Sequence, residues 1–190
     1  VPRRISPQAR RRRSFTVLAA ILVILVGAWS WFAVTKIYFP RLDSVPEGLD
    51  VIVQLGGAYN MDYMAARQLA KELNVPDLVI SEPTGLQPRH DRYCGPLDGV
   101  DVHCFAPEPS TTRGEARGFA ALAEEHGWRT AFVMGTGREH TERVRLYFSR
   151  CWDGTLAVNR PMSGRSVSEH LRQGFYQSAG WARALTYRGC

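Results

Sequence analysis

The chain has no glycine-rich nucleotide fingerprint: neither G-x-G-x-x-G nor a Walker P-loop occurs in it. That absence argues against ordinary dinucleotide and P-loop chemistry. Ser81 and Ser110 stand where a nucleophile could, but no Gly-x-Ser-x-Gly surrounds either, which argues against a serine hydrolase. The cysteines form no C-x-x-C, and His90, His103, His126 and His170 lack metal-ligand spacing, so no metal site is expected. Internal repeats and low-complexity segments are missing too. Charge of one sign is scarce beyond the amino terminus. Of 24 basic residues, the six arginines before residue 14 leave 18, against 18 acidic residues. The high isoelectric point therefore reports a basic tail and contact with anionic lipid. A nucleic-acid partner would need a basic patch in the domain itself, and none stands out.

The tail carries Arg3, Arg4 and the run Arg10 to Arg13, and it leads into an uncharged stretch over residues 15–34. About 20 apolar residues in a helix cross a ~30 Å hydrocarbon core. Trp29, Trp31 and Tyr38 gather at the far end, where amphipathic rings settle at the membrane–water interface. Arginines before the span and scattered charges after it predict a cytoplasmic amino terminus and an extracytoplasmic remainder. A cleaved secretory signal has a shorter apolar region and a small-x-small cleavage site. Neither fits here, so an uncleaved signal anchor is expected. The organisation read from the chain is a basic tail over 1–14, an anchor helix over 15–38, a short linker over 39–49 broken by Pro40 and Pro46, and a domain over 50–190. The linker's brevity should keep the domain close to the bilayer.

Within the domain, short apolar runs at 51–55, 76–81, 99–105, 130–134 and 155–158 alternate with helical periodicity at 61–73, 112–126, 139–151 and 166–185. Strands alternating with helices indicate βαβ units. The fold class expected is α/β, a three-layer Rossmann-like domain with a mostly parallel sheet of about five strands. In such sheets ligands bind beyond the carboxyl ends of the strands. Three polar clusters fall there: Gly56-Gly57 to Asn60, Pro109 to Glu115, and Gly135 to His140.

Leu55-Gly56-Gly57, Thr112-x-x-Glu115-Ala116 and Thr136-x-x-x-His140-x-x-Arg143, in that order behind an amino-terminal anchor, resemble the YdcF-like family of SanA/ElyC-type envelope proteins. The resemblance spans about residues 50–152. The chain departs from the family pattern at Glu115, where Asn is usual, at Gly137, where Ser is usual, and at Glu139, where an aromatic is usual. The Cys94 to Cys104 insertion resembles the actinobacterial branch. The resemblance implies a Rossmann-like fold and a role in the cell envelope. One soluble member is reported to bind S-adenosylmethionine, and anchored members are linked to polyprenyl-phosphate carrier metabolism. It implies no single reaction and no particular cofactor.

Each cluster has a functional and a purely structural reading. Gly56 and Gly57 can leave amides open at a helix start, which favours phosphate or carboxylate; a plain strand-to-helix turn does the same without a ligand. Thr112-x-x-Glu115 is also the spacing of a capping box, as are Thr136-x-x-Glu139 and Ser166-x-x-Glu169. For Thr112 and Glu115 capping is the leading reading and ligand contact the second. His140 and Arg143 share a helix face, and an imidazole beside a guanidinium suits proton transfer on, or recognition of, a phosphorylated substrate. The structural alternative is a surface pair with Glu139 or Glu142 balancing Arg143. Arg67 is expected on a solvated face, with a phosphate contact as the second reading.

The expected site therefore has His140 as acid/base, with Gly56, Gly57, Asn60, Thr112, Glu115, Thr136 and Arg143 binding or orienting a small phosphorylated, nucleotide-like or lipid-linked ligand. The alternative is a non-catalytic accessory subunit that meets other membrane proteins through the anchor helix, where Ala19, Ala20, Gly27 and Ala28 would permit close approach. Four cysteines outside the cytoplasm read as two disulfides. Cys94 and Cys104 bracket a short loop and pair first, leaving Cys151 with Cys190. The two other connectivities, and a free Cys190, remain open on spacing alone.

Overall fold

The computed structural model describes residues 7–58, 60–82, 92–159 and 166–190. Arg3, Arg4, Tyr59 and His90 lie outside the described residues. Helix α1 (Pro7–Ala33) continues as a π-helical turn over Val34–Tyr38. Then follow β1 (Val51–Gln54), α2 (Asn60–Glu72), β2 (Asp77–Ser81), β3 (Asp101–Phe105), α3 (Thr112–His126), β4 (Thr130–Met134), α4 (Thr141–Cys151), β5 (Thr155–Asn159) and α5 (Val167–Thr186). A single 3₁₀ turn, Arg138–His140, precedes α4.

The five strands are all parallel, in the order β3-β2-β1-β4-β5. The order reverses between β1 and β4. One face carries α2: Ala66, Ala70 and Tyr63 pack on Ile52, Leu78, Ile80 and Phe132. The other face carries α3 and α4, with Ala116, Phe119, Val144 and Phe148 against Val51, Val53, Val79 and Val133. Central strands buried on both faces explain their unbroken apolar runs. β3 is an edge strand of the sheet and only partly buried, since among the described residues no strand pairs on its outer side.

The α1 helix is long and apolar enough, over Arg11–Tyr38, to cross a bilayer. Its end is docked on the domain: Ile37 is fully buried, in a cluster with Ala33 and Trp181. The linker is pinned as well. The Asp43 carboxylate accepts from the Val158 amide at 2.9 Å and pairs with Arg145, and the Arg41 amide donates to Glu142 Oε1 at 3.1 Å.

Both disulfides are present, Cys94–Cys104 and Cys151–Cys190. Arg67 is half-buried and engaged by the chain, not on a freely solvated face. Its guanidinium donates to the carbonyls of Tyr93, Gly95 and Pro96 at 2.6–2.9 Å and so frames the Cys94–Cys104 loop.

Candidate functional site

The three polar clusters meet at the carboxyl ends of β1, β2 and β4, beside the point where strand order reverses. Gly56 and Gly57 follow β1; Gly57 takes a left-handed φ of 75°, which suits glycine. The turn before α3 lies close against that helix. A Cβ on Gly114 would meet the Pro109 carbonyl oxygen at 1.9 Å, so only glycine lets the loop close. The α3 cap is Thr111, whose hydroxyl accepts from the Gly114 amide, and not Thr112.

Thr112 and Glu115 are thereby released from capping and turn into the crevice. This corrects the capping-box reading. Glu115 Oε1 accepts from the Gly56 amide at 2.7 Å and from Ser81 Oγ at 2.9 Å. The carboxylate thus occupies the Gly56 amide that an anionic ligand was expected to use. Burial pushes the Glu115 carboxyl above its ordinary value, against the opposing pull of Gly56, Ser81 and Arg143.

His140 is buried and held between two hydroxyls, Thr112 Oγ1 at 2.8 Å from Nε2 and Thr136 Oγ1 at 3.1 Å from Nδ1. It closes the 3₁₀ turn ahead of α4, where a continuous helix from 139 was expected. Arg143, one turn on, is buried too, with only 8% of its surface exposed. Its Nε donates to Gln177 Oε1 at 3.0 Å and its Nη1 reaches Thr112 Oγ1 at 3.5 Å. The surface-pair reading fails. Glu142 turns to Lys36 and Arg41, and Glu139 pairs with His170. Among the described residues no carboxylate lies within ion-pair distance of Arg143. Burial lowers the guanidinium's pKa, partly offset by Tyr176, Tyr147 and Glu115.

These groups line an open cavity of about 270 Å³, with Gly56, Gly57, Thr112, Glu115, Thr136, His140 and Arg143 on its walls. Ser110 lines it as well. Asn60 does not; it opens α2 and is exposed outside that wall. Thr111 lines the cavity too, as do Gln173, Tyr176 and Gln177 of α5, and sequence reasoning missed these α5 residues. The available signal was a pair of glutamines four apart, on one face of the closing helix.

A second polar cluster lies at the opposite end of the sheet. Asp77, His103 and His126 offer ligand atoms within 4.8 Å of one another. Residues 77, 103 and 126 show no ligand spacing along the chain; parallel pairing of β2 with β3 brings them together. Asp77 already uses both oxygens, on His103 Nε2 at 2.7 Å and on Trp128 Nε1 at 3.0 Å, and His126 stacks on Trp128. That network ties the end of α3 to the edge of the sheet.

Chemically, the crevice combines a fixed cation, an imidazole with a hydroxyl on each nitrogen, and a carboxyl biased toward its neutral form. A hydroxyl on a base that a third group orients is the geometry of proton transfer. No protein-family profile and no curated protein sequence matches this chain.

Proposed function

We propose that the chain is a YdcF-like envelope protein, held by α1 as an uncleaved signal anchor with its domain outside the cytoplasm, which binds and acts on a small phosphorylated ligand in the α3–α4–α5 crevice. The observation that carries this reading is Arg143. A buried cation whose hydrogen-bond partners are neutral oxygens, at the wall of an open cavity, calls for an anion to balance it. A guanidinium fork matches phosphate oxygens. Beside it, His140 moves the proton at Nε2, with Thr136 orienting the ring through Nδ1 and Thr112 bridging imidazole and guanidinium. Glu115 shapes the Gly56 turn. Two disulfides support an oxidising compartment.

The test is a thermal-shift screen of the full chain in detergent, since Ile37 and Ala33 of the anchor region belong to the folded unit. The ligands are orthophosphate, nucleotides, sugar phosphates, short-chain polyprenyl phosphates and S-adenosylmethionine. A ligand at ~100 times its dissociation constant adds about 2.7 kcal/mol. That stabilisation is expected for a phosphorylated ligand and lost in Arg143→Ala and His140→Ala. Absence of any shift would sink the reading in favour of an accessory subunit. Exchange of residues 15–34 for an unrelated apolar helix would then abolish cellular function.

A further inference from the structure

We propose that the outward face of α5 is a bilayer contact, seated in the headgroup region of the leaflet from which α1 emerges. This rests on the anchor reading of α1.

The first observation is the stripe itself. Leu171, Phe175, Ala182 and Leu185 stand at i, i+4, i+11 and i+14, hence on one face of the helix. All four are exposed, Leu171 at 58%, Phe175 at 82% and Leu185 at 57%. The stripe is flanked on one side by exposed Arg172 and Arg183. Apolar rows flanked by arginine are the pattern of helices lying in an interface, with the cations among the headgroups.

The second observation says what covers the stripe. α5 packs on the emerging end of α1, which sets its depth. Phe32 meets Trp181 edge to face at 5.2 Å, and Trp29 lies tilted against Phe32 at 5.7 Å. Gly174 lies so close to Tyr38 that a Cβ there would meet the phenol oxygen at 2.0 Å. Trp29, Ser30 and Tyr38 share a groove with Gly174, Phe175 and Ser178. Phe175 therefore stands at the level of Trp29, in the aromatic belt of the span, and not in bulk water. The pinned linker and buried Ile37 stop the domain from swinging that face away.

The far side of the same helix lines the cavity with Gln173, Tyr176 and Gln177.

The full chain is reconstituted into phosphatidylcholine nanodiscs with one added cysteine, labelled with a small fluorophore while both disulfides stay closed. Phe175→Cys and Leu171→Cys probe the stripe, Val23→Cys the span, and Lys71→Cys, exposed at the end of α2, is the water-facing control. Lipids carrying a nitroxide near the headgroup are the quencher for residues 171, 175 and 71, and lipids carrying it deep in the acyl chain are the quencher for mid-span residue 23. Strong quenching at residues 171 and 175, weak at 71, is expected. Quenching at residue 23 with none beyond the control at 171 and 175 overturns the interfacial face and leaves the anchor and the Arg143 site standing. No quenching at residue 23 overturns the anchor and this inference together. Loss of the phosphate-ligand shift on Arg143→Ala is read separately, so the two failures do not overlap.

Discussion

Gly180 of α5 lies directly against the Arg143 guanidinium: a Cβ built at Gly180 meets Arg143 Nε at 2.9 Å and Cζ at 3.1 Å. The neighbour is the far end of a flexible side chain, so the helix can accept a methyl group if the guanidinium moves. Gly180→Ala should therefore change stability by less than about 1 kcal/mol, since Ala also favours the helix. It should weaken a phosphorylated ligand severalfold. Melting temperature with and without ligand checks both halves.

The raised Glu115 carboxyl has a definite sign in a pH titration. Its folded value lies above the ordinary 4.5, so its contribution is fully present at lower pH and is lost as pH rises through the folded value. Glu115→Gln keeps an oxygen for the Gly56 amide and Ser81 hydroxyl but cannot ionise. Relative to the variant, the parent chain should lose stability on the alkaline side of that range. Parallel melting curves across pH for the two proteins would remove this assignment.

Asp43 runs the other way. Burial alone would raise its carboxyl, but the Val158 amide, Arg145 and Arg41 hold it below the ordinary 3.8. Its stabilisation is present at neutral pH and disappears as pH falls through that lowered value. Asp43→Asn should cost about 1–2 kcal/mol at neutral pH and progressively less in acid. Protease sensitivity of the linker, measured at pH 7 and pH 3, reads the difference.

The Cys151–Cys190 bridge spans 39 residues and holds the chain beyond α5 on α4. Loop entropy alone would assign it about 4 kcal/mol. Arg150 shares the task, donating to the carbonyls of Ala184 and Tyr187 at 2.8 and 2.7 Å. Cys151→Ser with Cys190→Ser should thus cost less than that figure. Adding Arg150→Ala should release the tail, visible as faster amide exchange at residues 184–190.

One pattern shows how far local sequence reaches. Thr112-x-x-Glu115, Thr136-x-x-Glu139 and Ser166-x-x-Glu169 have the same spacing, yet only Ser166 with Glu169 forms a capping box. Thr111 takes the cap from Thr112, and Thr136 and Glu139 turn to His140 and His170. A capping box is closed by neighbours in the chain, so sequence names the option. Whether a competing partner stands opposite depends on elements many residues away.

Strand and helix identity was determined by the chain itself, because apolar runs and 3.6-residue periodicity are local properties that the solvent enforces directly. So were the length and apolarity of α1; for the cysteines, spacing favoured Cys94 with Cys104 across a short loop but left the other connectivities open until the fold closed both bridges. Tertiary structure alone decided the rest. It buried Arg143 with no carboxylate of the described residues within ion-pair distance, set Glu115 on the Gly56 amide, sent Arg67 to the disulfide loop, gathered Asp77, His103 and His126, and brought α5 to both the cavity wall and the end of α1. Those outcomes turn on which polar groups share a desolvated space. Desolvation is a property of packed layers, and no spacing along the chain encodes it.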